Sequence, residues 1–175
     1  MERIAIDMDE VIADPLKKFI QLYNRDYDVP LDLIIDAGNE IFHHVPEHAS
    51  KKWFEYINEP GFFRDLEIIA DSQRVIQALQ EKYDVYIVSA AMEFPNCLKD
   101  KYDWLADHFP FIDWQHIIFC GKKIVDVDIM IDDRTKKFYQ FFRSAITVYF
   151  STQPADYRIR ACKYLGRGSR FVAII

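Results

Sequence analysis

The chain is poor in glycine, with 5 among 175 residues, and carries only 3 cysteines. Scarce glycine beside 14 Phe and 10 Tyr argues against a disordered polymer, whose composition cannot bury enough apolar surface to fold. Cys97, Cys120 and Cys162 are odd in number and far apart, with no CxxC spacing. They point away from a disulfide framework and towards reduced thiols packed as small core hydrophobes. No apolar run is long enough to span a bilayer, and no secretory leader precedes the first apolar segment, so a cytoplasmic protein without a membrane partner is expected. A basic surplus is missing too. The net charge is −6, spread without a long block of one sign. That argues against nucleic-acid binding, which needs a basic face, but leaves room for an anionic small molecule beside a bound cation.

What the chain does have is half its residues hydrophobic, enough for one substantial core with a modest insertion. Short, continuously apolar runs recur: "RIAID" (3–7), "DVYIVSA" (84–90), "HIIFC" (116–120), "DIMIDD" (128–133) and "AITVYF" (145–150). They read as strands covered on both faces. Helical patterns lie between them, in 71–83 with Val75, Ile76 and Leu79, in a stripe of Leu98, Tyr102, Leu105 and Phe109, and in 135–144. Strand–helix alternation predicts a parallel, doubly wound α/β sheet. Residues 15–70 interrupt the rhythm with far more chain than one crossover helix needs. Two helical patterns there, "DPLKKFIQLYNRDY" and "EHASKKWFEYINE", predict a small helical cap inserted after the first strand. The core is then 1–14 with 71–175, and a helix is expected near 155–165.

In such a sheet, ligands sit beyond the carboxyl ends of the strands. The polar residues at those ends are Asp7 and Asp9, Ser89, and Asp132 with Asp133, with Lys122 and Lys123 following the third strand. Carboxylates so close repel each other unless a cation joins them. Mg²⁺ suits them, since it prefers oxygen ligands and accepts substrate phosphate oxygens. A carboxylate can also attack phosphorus, while a second one protonates the leaving oxygen and then activates water.

"DMDEV", "VSA", a lysine ten positions before "DD", and "IDDR" resemble the four motifs of the haloacid dehalogenase-like (HAD) phosphohydrolases. With "GFFRDLE", "DKYDWLADHF" and "DIMIDDR" in matching order, the chain is similar to the 5'(3')-deoxyribonucleotidases over most of residues 3–134. The resemblance implies a HAD-like three-layer Rossmannoid core with a small cap. It implies a Mg²⁺-dependent phosphatase of nucleoside monophosphates working through an aspartyl-phosphate. Asp7 would be nucleophile and Mg²⁺ ligand, and Asp9 the acid/base, also offering its backbone carbonyl to the metal. Ser89 would hydrogen-bond the phosphoryl group and Lys122 neutralise it, with Lys123 the poorer match and solvated. Asp133 would complete the metal site. Asp132, pointing to the opposite strand face, would support it by orienting Lys122 or a metal-bound water. Arg134 would touch substrate, and Phe63 would line the base pocket. Three residues depart from the family pattern: Glu10 replaces a small residue, Pro15 an aromatic, and Ala90 a hydroxyl residue whose backbone N–H remains available.

Other readings stay open at this level. Sugar phosphates or other metabolites are alternative substrates, because the cap selects the leaving group and is the least matched region. A receiver domain uses similar groups, but its acidic pair follows the first strand and its acceptor Asp the third. His44 and His48 suggest zinc, yet Pro46 between them starts a helix, so the two would not share a helical face. Lys101, Tyr102 and Trp104 are expected to divide into an exposed lysine and a buried stripe. The sequence does not fix the oligomeric state, a homodimer included.

Overall fold

A computed structural model describes residues 1–28, 46–133, 144–149 and 160–165. Six strands form the main sheet: β1 (Arg3–Asp7), β4 (Asp84–Ser89), β5 (Ile117–Phe119), β6 (Ile129–Asp132), β7 (Ser144–Tyr149) and β8 (Arg160–Leu165). Their spatial order is β5-β4-β1-β6-β7-β8, with every neighbour pair parallel except β7 and β8. The five apolar runs therefore are the five parallel strands, in a mixed α/β fold of the HAD-like Rossmannoid kind.

The continuous apolar character of these runs has a direct cause. Ile4, Ile6, Val85 and Ile87 point to one face and join the buried residues of the helices, while Ala5, Val88 and Met130 point to the other and pack with Val127. With both faces covered, the two-residue alternation of a half-exposed strand disappears from the sequence.

Between β1 and β4 lie β2 (Ala13–Asp14), α1 (Pro15–Tyr27), α2 (Glu47–Asn58), β3 (Glu67–Ile68) and α3 (Ser72–Gln80). Helix α1 starts on Asp14, whose side chain accepts from the Lys17 N–H at 2.8 Å, with Pro15 in the first turn. It buries Pro15, Phe19 and Tyr23, four residues apart each time, and the last two meet α2 through Trp53 and His48. Pro46 caps α2, as its place before the helical pattern suggests. The T-shaped Phe19–Trp53 pair, at 5.1 Å, and the Phe19–Tyr56 pair, at 6.0 Å, join the two helices. Strands β2 and β3 pair antiparallel and so tie together the two ends of this inserted segment. Its buried aromatics belong to the same hydrophobic cluster as Ile4 and Ile6, so the described part of the insertion shares the sheet core.

Three expectations need correction. The segment near 155–165 contains strand β8, not a helix. Six residue pairs from Ser144–Leu165 to Tyr149–Arg160 close the open edge of β7, a tertiary demand that outweighs local preference. Helix α4 (Cys97–His108) buries Cys97, Lys101, Trp104 and Leu105, whereas Tyr102 is 47% exposed. The buried stripe is thus rotated from the expected one, and the exposed member of Lys101–Tyr102–Trp104 is the tyrosine. On α3, Ile76 is buried but Val75 faces outward. His44, Arg134 and the helical pattern at 135–143 lie outside the described residues, and Ser144 opens β7.

Candidate active site

Strand β1 ends at Asp7, paired with Val88 of β4, and β6 ends at Asp132 on the other side of β1. Three neighbouring strands thus deliver Asp7, Ser89 and Asp132 to one edge. Beyond Asp7 the chain turns tightly, with the Met8 carbonyl accepting from the N–H groups of Val11, Ile12 and Ala13. That turn folds Asp9 back beside Asp7. The cleft above this edge has a volume of about 290 Å³, and Asp7, Asp9, Phe63, Ala90 and Asp133 all line it.

Carboxylate oxygens of Asp7, Asp132 and Asp133 lie within 4.8 Å of one another. This corrects the expectation that Asp132 faces away from the other two. The alternation rule holds only within the strand, and β6 stops at Asp132, so Asp133 is released from the pleat and turns to the same side. Hard oxygen donors at this spacing, two of them buried, suit a small divalent cation such as Mg²⁺. Asp9 stands outside that trio.

Two lysines balance the acids, and neither is the one expected. Lys123 Nζ lies 2.5 Å from Asp7 and 2.7 Å from Asp132, while Lys122 is exposed. Counting ten positions back from Asp132 reaches Lys122. The backbone over 120–128 has no regular structure, so that count does not fix which of two adjacent lysines turns inward. The solvated residue is Lys122, and Asp132 orients Lys123 instead. The second lysine is Lys101, 2% exposed, which donates to Asp9 and, at 3.0 Å, to Ser89 Oγ. Its Nζ also sits 4.4 Å from the Phe63 ring centroid. Such partners offset the cost of taking this lysine out of water. Sequence reasoning missed it because lysine on a helix reads as solvated. The available signal was its position, four residues after Cys97 and three before Trp104, on what proves to be the buried face.

Ser89 is fully buried beneath Lys101 and meets the cleft through that ammonium. Phe63 is 4% exposed, with one ring face taken by Lys101. The more open ring is Phe54 of α2, which lines the cleft with Trp53, Ile57 and Phe94. Pro15 and Glu10, two departures from the family pattern, line it too.

The electrostatics follow from burial. Desolvation, with Asp132 and Asp9 adding repulsion, pushes the Asp7 carboxyl up to about 6 although Lys123 opposes the shift. Burial alone would lower the Lys123 ammonium, but Asp7 and Asp132 outweigh it and hold the group protonated. Desolvation and the nearby Asp14, Asp133 and Asp9 raise Glu10 well above the usual carboxylate range. Among the described residues, five acidic side chains and two lysines line the cleft, so acids outnumber bases there.

The other singled-out residues have structural roles. His48 meets the Tyr23 hydroxyl at 2.7 Å within the α1–α2 contact. Cys97 is buried, its thiol pushed up to about 11 by desolvation, and Cys120 is partly buried. No described helix is long and apolar enough to cross a membrane.

Residues 2–163 match the family model of "5' nucleotidase, deoxy (Pyrimidine), cytosolic type C protein". A Staphylococcus aureus protein named "Putative 5'(3')-deoxyribonucleotidase" is 45% identical over 135 residues, 77% of this chain and 74% of its own. A Staphylococcus epidermidis protein of the same name is 40% identical over 158 residues, covering 90% and 88%. The Bacillus subtilis "5'(3')-deoxyribonucleotidase" is 37% identical over 142 residues, covering 74% of each. A DxD turn, a buried lysine on α4 and an acidic pair closing β6 therefore stand in a chain that belongs to the type C 5'-nucleotidase family, whose relatives carry the deoxyribonucleotidase name.

Proposed function

We propose that the protein is a phosphoric monoester hydrolase that removes phosphate from nucleoside monophosphates, deoxyribonucleotides included. The observation that carries this reading is the pairing of two carboxylates on one turn, each with its own lysine: Asp7 with Lys123 and Asp9 with Lys101. Two carboxylates held apart in this way allow one to attack while the other transfers a proton. Family membership and the names of the relatives support the substrate class.

In the proposed sequence, an Asp7 carboxylate oxygen forms a bond to phosphorus as the ester oxygen leaves. Asp9 gives that oxygen a proton. Asp9 then takes a proton from water, which attacks the aspartyl-phosphate, releases inorganic phosphate and restores Asp7. The Asp9 Oδ1 is buried with no hydrogen-bond partner among the described residues, so it is available for that proton. Its other oxygen is held by Lys101, which fixes the carboxyl orientation. Lys123 and Lys101 face the charge that develops on the phosphoryl oxygens. Asp7, Asp132 and Asp133 would hold Mg²⁺, which when bound neutralises carboxylate and phosphate charge in a cleft otherwise rich in acid. Trp53 and Phe54, from the insertion, give an aromatic wall for the nucleoside and reduce water access.

The test is phosphate release across a panel of ribo- and deoxyribonucleoside monophosphates and sugar phosphates, with Mg²⁺ or with a chelator. Mg²⁺-dependent turnover highest on nucleotides is expected. A preference for sugar phosphates would replace the substrate class, and full activity in chelator would mean that no metal takes part.

A further inference from the structure

Glu10 has φ of 59°, in the left-handed region that residues bearing a side chain enter at an energetic cost. It sits in the turn directly after Asp9, with its own N–H donating to the Ala13 carbonyl at 2.9 Å. Glu10 Oε1 accepts from the Leu16 N–H at 3.1 Å, across six residues. Leu16 lies in the first turn of α1, where backbone N–H groups have no partner within the helix. Asp14 already takes the Lys17 N–H, so Glu10 answers a separate donor. The carboxyl also lines the cleft, close enough to Asp9 and Asp133 to feel their charge.

One side chain thus connects the turn that bears Asp7 and Asp9 to the helix that begins the insertion. Helix α1 in turn holds α2 through Phe19 and Trp53, and α2 supplies Phe54 to the cleft wall. We propose that Glu10 is a positioning residue: it clasps α1 to the Asp7–Asp9 turn and so sets the distance between the phosphate end of the cleft and the aromatic wall. The clasp deepens the nucleotidase reading and rests on it for the identity of the extended substrate. A phosphomonoester too short to span from turn to wall is insensitive to the clasp, and a nucleotide is not.

Two variants and two readouts test this. Glu10→Ala removes the acceptor, and Glu10→Gln keeps an amide oxygen for the Leu16 N–H. Amide hydrogen exchange at Leu16, measured without substrate, should speed up roughly ten-fold in Glu10→Ala, the scale of one lost hydrogen bond, and stay within about three-fold in Glu10→Gln. On a deoxynucleoside monophosphate, kcat/KM of Glu10→Ala should fall about ten-fold more than on p-nitrophenyl phosphate, mostly through KM, and Glu10→Gln should recover most of that extra loss. Unchanged exchange at Leu16, equal losses on both substrates, or a Gln variant no better than Ala would each overturn the clasp. If the wild-type protein prefers sugar phosphates, the nucleotide reading fails separately. The clasp is then judged by Leu16 exchange and by the best sugar phosphate against p-nitrophenyl phosphate, with the same outcomes deciding.

Discussion

Burial decides which charged residues matter at this site, more than position in a motif does. Lys101 is enclosed by Asp9, Ser89 and Phe63, whereas Lys122, next to the lysine that reaches Asp7, faces solvent. Lys101→Met should therefore lower kcat by about 10²–10³-fold, the scale of one lost preorganised donor. Lys122→Ala should stay near wild type in the same steady-state assay. Asp7 carries a second testable consequence. Its carboxyl is raised from 3.8 to about 6, so over that range the folded protein keeps a proton that the unfolded chain has released. The stability this contributes is complete below the ordinary value and is lost as pH rises through about 6. Asp7→Asn should abolish turnover, yet in chelator at pH 8 it should melt higher than wild type, with the gap shrinking towards pH 4. An Asn variant less stable at pH 8, by calorimetry, would contradict the stated cost of ionising Asp7. The acids were readable because carboxylates closing apolar strands are conspicuous. The lysines were not, since choosing between Lys122 and Lys123, or burying Lys101, depends on backbone direction in three dimensions.

At the scale of elements, the parallel strands were readable almost to the residue. Apolar runs of this length, covered on both faces, leave few alternatives. Helix α4 buries a stripe rotated from the expected one, because Tyr102 is apolar enough to pass for core and Lys101 polar enough to pass for surface. Strand β8 stands where the sequence predicts a helix, since antiparallel pairing to β7 is a property of the sheet edge and not of the segment. The insertion depends on α1 packing against α2 around Phe19, which is fully buried between Trp53, Tyr23 and Tyr56. Phe19→Ala should cost about 3–5 kcal/mol in denaturant unfolding, the usual range for a deleted core ring. A cost below about 1 kcal/mol would mean that α1 and α2 adjust around the gap and that the wall is not rigidly held.

Over the whole molecule, a parallel sheet brings acids from β1 and β6 to a common edge, while the segment inserted after β1 supplies the opposing wall. The cleft, with five acidic side chains against two lysines among its described lining, carries the same sign as the proposed substrate and fits the proposal that a cation joins the two. It also explains why overall charge says little about substrate sign. If Asp7 is the acceptor of phosphorus, acid-quenched trapping of labelled enzyme after mixing with ³²P-deoxynucleoside monophosphate and Mg²⁺ shows it most directly. Label should appear on the protein as a hydroxylamine-sensitive acyl phosphate, accumulate in Asp9→Asn, and vanish in Asp7→Asn. Label on the Asp7→Asn protein, or an Asp9→Asn enzyme that turns over normally without ever becoming labelled, would contradict it.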